Sequence, residues 1–517
     1  MENQNWIRDF LKDLLASIQT PEKVEWVLKD YCEIKETGKF YDLLNFLERE
    51  YEKDILCSLE YYLYLITNDR KLYPFCAKTR LELEAEQADD LFLEINLFEQ
   101  VCIAQFQEGK KDFAFEWKWN EYLGERMEQL VGSVGNKYTF EERENGPVVL
   151  VAQTLLAEAH APTRLILEMA RIFISVLHKE VLLLVAGVPA DVGLLKNVGL
   201  DINGAKMNFN YNLNGQFSYE YGGVSILGYQ LMIKKENVDE MRLLMQAVYR
   251  MKPQLVWNFG ANTYYTGLMK NFTAYIYTRC SSGYPAVKAD AVVNYIPATS
   301  PEDLRDKQYL EAGGTRVKEI EFLFPYEKPW QPAQRYAYGI AEEAFCLGIV
   351  GNRLKFDCKP GFLAILGEIL NDMKDVCLIF YGELDAEFQK KIEAGIGQRE
   401  RVIFLGGKDD LINWLGMMDL FINPPRLGGG NGAAMSMSLG IPVLTVDEGD
   451  VASVAGPDFI VRRLEEFPAL VKRYRDDSAF MESQSRKALQ RIEQMTTSDE
   501  ELGNILQQII ALAGEEI

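Results

Sequence analysis

NPPRLGGGNGAAMSMSLGIPV, residues 423–443, decides how this chain is read. It leaves the apolar run Leu420–Ile422, passes through a glycine-rich turn into a helical stretch that stops at Gly440, and returns to an apolar run at Pro442–Leu444. Strand, glycine turn, helix and strand in that order mark one repeat of a parallel α/β layer. Glycines let backbone amides close on an anion, and a helix N-terminus adds unpaired donors and a partial positive charge. A diphosphate cradle and a tight turn without a ligand both fit these residues taken alone.

Outward from this stretch, Cys346–Val350, Val376–Phe380 and Val402–Leu405 are three more strand-like runs separated by helical segments. The five together predict a doubly wound sheet over residues 340–485. Upstream, Pro147–Ala152 is a continuous apolar run, Thr163–His178 is helical in pattern and Val181–Val185 is a second run, which makes a βαβ unit. Leu255–Phe259 and Ala291–Val293 fit later strands of that sheet, so residues 147–330 form a second Rossmann-like domain. Pro325, Pro329 and Pro332 suit an extended connection between the two. Ligands of such sheets bind outside the carboxyl ends of the strands.

Before residue 135 the apolar residues recur at helical spacing, as in Trp6, Phe10, Leu11, Leu14 and Leu15, and predict an all-α N-terminal domain. Glycines between Gly132 and Gly146 mark its boundary. Residues 486–517 read as C-terminal helices that pack back across the domains. A length of 517 residues agrees with several cores rather than one.

The net charge of −22 opposes binding of nucleic acid, which would require a strong local basic patch that is not evident. No uninterrupted apolar run has the length of a membrane span, and the N-terminal MENQNWIRDFLKDLL lacks the order of a secretory signal, so a cytoplasmic location is expected. The eight cysteines lack metal-ligand spacing and are expected to be reduced core thiols.

Three segments carry the chemistry. In 423–443, Gly430, Asn431 and Gly432 open the helix. Gly351-Asn-Arg-Leu-Lys-Phe-Asp357 follows the first strand of the same sheet and offers Arg353 and Lys355, two cations able to meet charge on a departing diphosphate without a metal; Lys359 fits a solvated basic loop. Glu158-Ala-His-Ala-Pro-Thr163 follows the first strand of the other sheet, where His160 could take a proton from an acceptor. The second histidine, His178, ends an apolar helical run and reads as structural.

These segments together resemble glycosyltransferase family 41, the O-GlcNAc transferases and the bacterial cytoplasmic N-glucosyltransferases that modify adhesins. His160-Ala-Pro-Thr163 resembles that family's histidine loop, Ser281-Ser-Gly-Tyr-Pro285 its Gly-Tyr-Pro loop, and Lys355-Phe-Asp357 the lysine segment that contacts the donor diphosphate. Arg401–Phe404, Met418–Phe421 and Asn431 through Gly440 follow in the same order. The resemblance implies a GT-B fold of two facing Rossmann-like domains and an inverting transfer of a sugar from a nucleotide-diphosphate donor, UDP-linked, to a protein or peptide. It implies His160 as the active-site histidine, Lys355 at the diphosphate, Asn431 and Gly432 facing phosphate, and Gly406 and Gly407 near the uracil. No metal or other cofactor is implied. The family's ribose-holding acid is replaced by Met435, a weak acceptor, which leaves Asp447, Glu448 or Asp450 for the ribose. A non-catalytic protein of the same fold that binds glycans or chaperones an adhesin is the competing reading, and a nucleotide-sugar epimerase a third.

Overall fold

The computed structural model describes residues 5–67, 69–87, 90–107, 112–156, 160–189, 213, 215–280, 283–295, 301–320, 323–326, 328–397, 399–408 and 410–514. The chain divides into two compact units, one built on Met1–Phe106 and the other on Gln107–Gly187 and Asn208–Ile517. The first unit is helical. Its helices Asn5–Gln19, Val24–Glu36, Phe40–Glu50, Lys53–Thr67, Tyr73–Gln87 and Leu91–Gln107 each turn an apolar stripe inward, with Leu14, Val27, Leu43, Leu63, Leu81 and Ile95 fully buried.

The first unit's N-terminal segment ends at Phe106, before the composition changes. Helix Phe113–Val131 packs on helices and a loop of the second unit: Asn120 donates to the carbonyl of Ala286 at 3.0 Å and accepts from Thr263 at 2.9 Å, and Arg242 donates to the carbonyl of Leu130 at 2.7 Å. Helical periodicity reports a helix without reporting what it packs on.

The second unit holds two sheets. The first takes β1 (Val148–Ala152), β2 (Val181–Gly187), β3 (Gly215–Tyr221), β4 (Val224–Met232), β5 (Leu255–Phe259), β6 (Tyr275–Thr278), β7 (Ala291–Asn294) and β8 (Arg316–Glu319) in the order β3-β4-β2-β1-β5-β6-β7-β8. All neighbours are parallel except β3 and β4. The central strands β1 and β5 are buried on both faces, β1 as an unbroken apolar run and β5 as one interrupted only by Asn258; β3, at the edge, alternates in exposure, which hides it from a search for such runs. The second sheet is wholly parallel: β9 (Phe345–Val350), β10 (Val376–Tyr381), β11 (Val402–Gly406), β12 (Leu420–Ile422), β13 (Val443–Val446) and β14 (Ile460–Val461) lie in the order β11-β10-β9-β12-β13-β14.

The chain passes between the sheets twice. Leu323 donates to the carbonyl of Met495 and accepts from the amide of Thr497, both at 2.9 Å, so the outgoing and returning segments are hydrogen-bonded together. Helix Ser478–Met495 buries Ala488 and Ile492 beside Ala433 and Met437 of the glycine-turn helix. Helix Asp499–Gly514 then buries Leu502, Leu506 and Ile509 in the first sheet's core, where Arg171 holds Asp499 through two bonds of 2.6 and 2.7 Å. Both C-terminal helices thus pack back onto the sheet domains. No described helix is long and apolar enough to cross a membrane.

Candidate functional site

Each parallel sheet reverses its winding at one place, between β9 and β12 in the second and between β1 and β5 in the first. Loops leaving the carboxyl ends of two such strands diverge and open a crevice. All three segments singled out in the sequence fall there: Gly351–Asp357 leaves β9, Asn423–Gly430 leaves β12 and the His160 loop leaves β1.

In the second sheet the glycine turn is built around Arg426. Its side chain is 3% exposed; it donates to the side chain of Asn423 at 2.8 Å, to the carbonyl of Val350 at the end of β9 at 2.8 Å, and to Asp357 at 3.4 Å. Burial pulls the guanidinium below its usual range, opposed chiefly by Asp357. Gly429 closes the turn with φ +109°, where a side chain is strained, and a Cβ there would stand 2.6 Å from Arg426 Nη2. The loop after β13 backs the turn: Gly449, at φ +70°, lies against the carbonyls of Arg426 and Leu427, and Asp450 donates its amide to Leu427 at 2.8 Å.

Helix Gly430–Ser438 starts from this turn, and its first N–H groups are the unpaired donors of a helix N-terminus. Arg353 stands at the turn, since a Cβ on Gly428 would lie 3.0 Å from its Nη2. Asp450 is there too, 3.0 Å from a Cβ on Gly430, and its charge adds to burial in holding the Cys280 thiol, just past β6 of the first sheet, up at about 12. Asp447 and Glu448 are exposed, so Asp450 is the acid of the three that reaches the turn. Met435 packs partly buried against the apolar core. The Asn431 side-chain oxygen accepts from the Tyr326 hydroxyl at 2.6 Å.

Lys355 sits on the single turn Leu354–Asp357, with its side chain 40% exposed and its Nζ 3.8 Å from Asp385 beyond the end of β10. It is thus on the β10 side of the β9 loop, whereas Arg353 is on the glycine side. Gly406, at the end of β11, faces open space, whereas the N–H of Gly407 donates to Glu383 at 3.2 Å. Lys359 is exposed.

His160 occupies the N-cap of helix Ala161–Ser175, with Nδ1 3.0 Å from the buried hydroxyl of Thr163, which also accepts from the amide of Leu156. Burial lowers its pKa and favours the neutral imidazole. Glu158, Ala159, Ser281 and Ser282 of the motifs named above lie outside the described residues; Tyr284 is buried and donates to Glu319. His178 is exposed at φ +52° in the turn before β2, a turn residue rather than a core one. Around the first crevice lies a neutral network that the sequence motifs do not announce: Asn258 on β5 bonds Tyr275 at 2.7 Å and Thr266 at 2.9 Å, and Asn262 reaches over the end of β1 to the carbonyl of Ala186 on β2 at 2.7 Å. Arg426, the one cation in 423–443, is visible in the sequence but carries no sign there of its burial.

Residues 353–477 match the family model described as "Glycosyl transferases group 1". No curated protein matches the sequence. Among solved structures, a mutant O-GlcNAc transferase of Thermobaculum terrenum is 11% identical over 99% of this chain and 98% of its own, with a TM-score of 0.57. A glycosyltransferase of Rickettsia africae is 12% identical over 74% of this chain and 100% of its own, with a TM-score of 0.51. Likeness at such identity is a likeness of fold: the architecture is GT-B, two parallel-sheet domains after a helical region. The matched segment begins at Arg353 and takes in the whole glycine turn.

Proposed function

We propose that the chain is an inverting glycosyltransferase that moves a sugar from a nucleoside-diphosphate donor, a UDP-sugar, to a protein or peptide. One observation carries the reading: at the reversal point of the second sheet, inside the segment that matches the glycosyltransferase model, a glycine turn, an open helix N-terminus and Arg353 meet. Such a site suits a diphosphate, whose oxygens take hydrogen bonds from backbone amides and charge from a guanidinium.

In the proposed reaction an acceptor hydroxyl or amide attacks the anomeric carbon. The new bond to carbon forms as the bond to the diphosphate oxygen breaks, and the electron pair leaves with the nucleoside diphosphate. Arg353, the helix start and Lys355, once turned from Asp385, stabilise that charge, so these cations would do the work a metal does elsewhere. The acceptor proton passes to His160, whose Nδ1–H donates to Thr163 in this role and leaves Nε2 as base. Asp450 is the acid placed to meet the ribose.

The test is turnover of UDP-glucose and UDP-N-acetylglucosamine by the full chain, read as UDP release, with mass spectrometry of proteins from cells with and without it. Sugar-modified proteins that disappear with the gene support the reading. Donor-induced thermal stabilisation without any turnover or modified protein would instead select the non-catalytic binding protein, a reading favoured by Met435 at the ribose position and by the pairing of Lys355 with Asp385.

A further inference from the structure

Tyr326 lies on the first crossing between the sheets, and its hydroxyl meets Asn431, the second residue of the helix that leaves the glycine turn, 105 positions away. The ring is held from its other side. Arg164 places its guanidinium 4.7 Å from the ring centroid and donates to the carbonyl of Pro325 at 2.9 Å. Arg164 belongs to the first turn of helix Ala161–Ser175, and its amide donates to the carbonyl of His160 at 2.9 Å. A continuous line of contacts therefore runs from the histidine of one crevice to the helix start of the other.

A carboxamide has an acceptor end and a donor end, and rotating it by half a turn exchanges them. At an anion site the difference matters: N–H toward phosphate attracts, and C=O toward phosphate repels. With Oδ1 accepting the phenol proton, the end left over on Asn431 is Nδ2, which has no other partner among the described residues. Burial pushes the phenol up to about 12, so Tyr326 keeps its proton at any physiological pH.

We infer that Tyr326 is a positioning residue that fixes the Asn431 carboxamide with its N–H groups available to the donor diphosphate, and that Arg164 holds the ring in place for this. The inference rests on the reading of the glycine turn as the diphosphate site and adds a residue that no motif contains. Tyr326 itself touches no phosphate. Its effect passes through Asn431, so the two residues act as one unit.

Calorimetric titration with UDP tests this on the full chain and on Tyr326→Phe, Asn431→Ala and the double variant. Each single change is expected to weaken UDP about tenfold, the size of one hydrogen bond to a charged group, and the double variant no more than Asn431→Ala alone. Asn431→Asp keeps an acceptor for the Tyr326 hydroxyl but sets a second oxygen against the phosphate, so it should bind UDP worse than Asn431→Ala. Thermal unfolding without ligand shows whether a weakened variant is still folded; Tyr326→Phe, which removes one atom, should unfold within a few degrees of the parent. Losses that multiply in the double variant, unchanged affinity in Tyr326→Phe, or Asn431→Asp binding as well as Asn431→Ala each overturn the inference while leaving the diphosphate reading intact. A parent chain that binds none of UDP, GDP and ADP overturns both.

Discussion

The two crevices of the second unit share a topology and differ in what fills them. Between β9 and β12 the backbone is opened by glycines and supported by a buried charge, Arg426, whose partners are a carbonyl, a carboxamide and Asp357. Between β1 and β5 the support is neutral: Asn258 bonds Thr266 and Tyr275 and accepts from the amide of Ala261, and Asn262 bonds the carbonyl of Ala186 at the end of β2. The physics separates the tasks. An anion needs donors and cations around it, and a cation kept under the turn also adds to the field there. A histidine that must accept a proton is better served by surroundings that carry no charge, since a nearby cation would keep it deprotonated but also weaken it as a base, and a nearby anion would keep it protonated.

The comparison breaks most visibly at His160. His160→Ala is expected to lower turnover by about 10² to 10⁴ with little change in stability, measured as UDP release at saturating donor beside a urea unfolding curve. A large loss of stability at unaltered specific activity would make His160 a cap for its helix and nothing more. The charged crevice is tested by Arg426→Met, which leaves Asp357 buried without its partner and should cost about 3 to 5 kcal/mol in folding free energy. A cost below about 1 kcal/mol, the worth of a surface pair, would show that the turn does not depend on the buried cation.

If Lys355 meets the departing diphosphate as proposed, Lys355→Ala should reduce the catalytic constant by about 10² to 10³ while donor affinity changes little. Lys355→Arg should restore part of the rate. Equal rates for Lys355→Ala and the parent would mean that the pairing with Asp385 is its whole role.

The neutral crevice also fixes a pH dependence. Burial depresses the pKa of His160 in the folded chain, so on acidification the unfolded chain, with its histidine near about 6.5, takes up the proton first. Its contribution to stability is whole above about pH 6.5 and is lost as pH falls through the lower folded value. The acid limb of kcat/KM should likewise lie below about 6.5, and a limb above it, unchanged in His160→Gln, would point to another base. The smallest effect is expected at Lys359, which is exposed: Lys359→Ala should shift stability by no more than about 0.5 kcal/mol and activity less than twofold.

The signals carried by the order of amino acids alone are local. Apolar runs such as Val148–Ala152 and Val376–Tyr381 announce strands buried on both faces, and the glycines of 428–432 announce a turn into a helix, because each signal lies within a few residues of its cause. His160 and Arg353 stand out as residues that follow such strands. The sequence by itself therefore determined the α/β class of the two sheets and the helical region before them, and it singled out the loops that leave the strand ends.

Only the tertiary structure decided the neighbours. The order of strands in the sheet places β9 beside β12, which brings Arg426 to a carbonyl 76 residues away and sets Arg353 against the glycines while Lys355 turns to Asp385. The same distant packing assigns helix Phe113–Val131 to the second unit, sets Cys377 3.1 Å from Cys346, and brings Tyr326 to Asn431. Hydrophobic period fixes which face of an element is buried but carries no label for the element it will meet; that choice is made by the packing of whole layers, where contacts far apart in sequence are formed together.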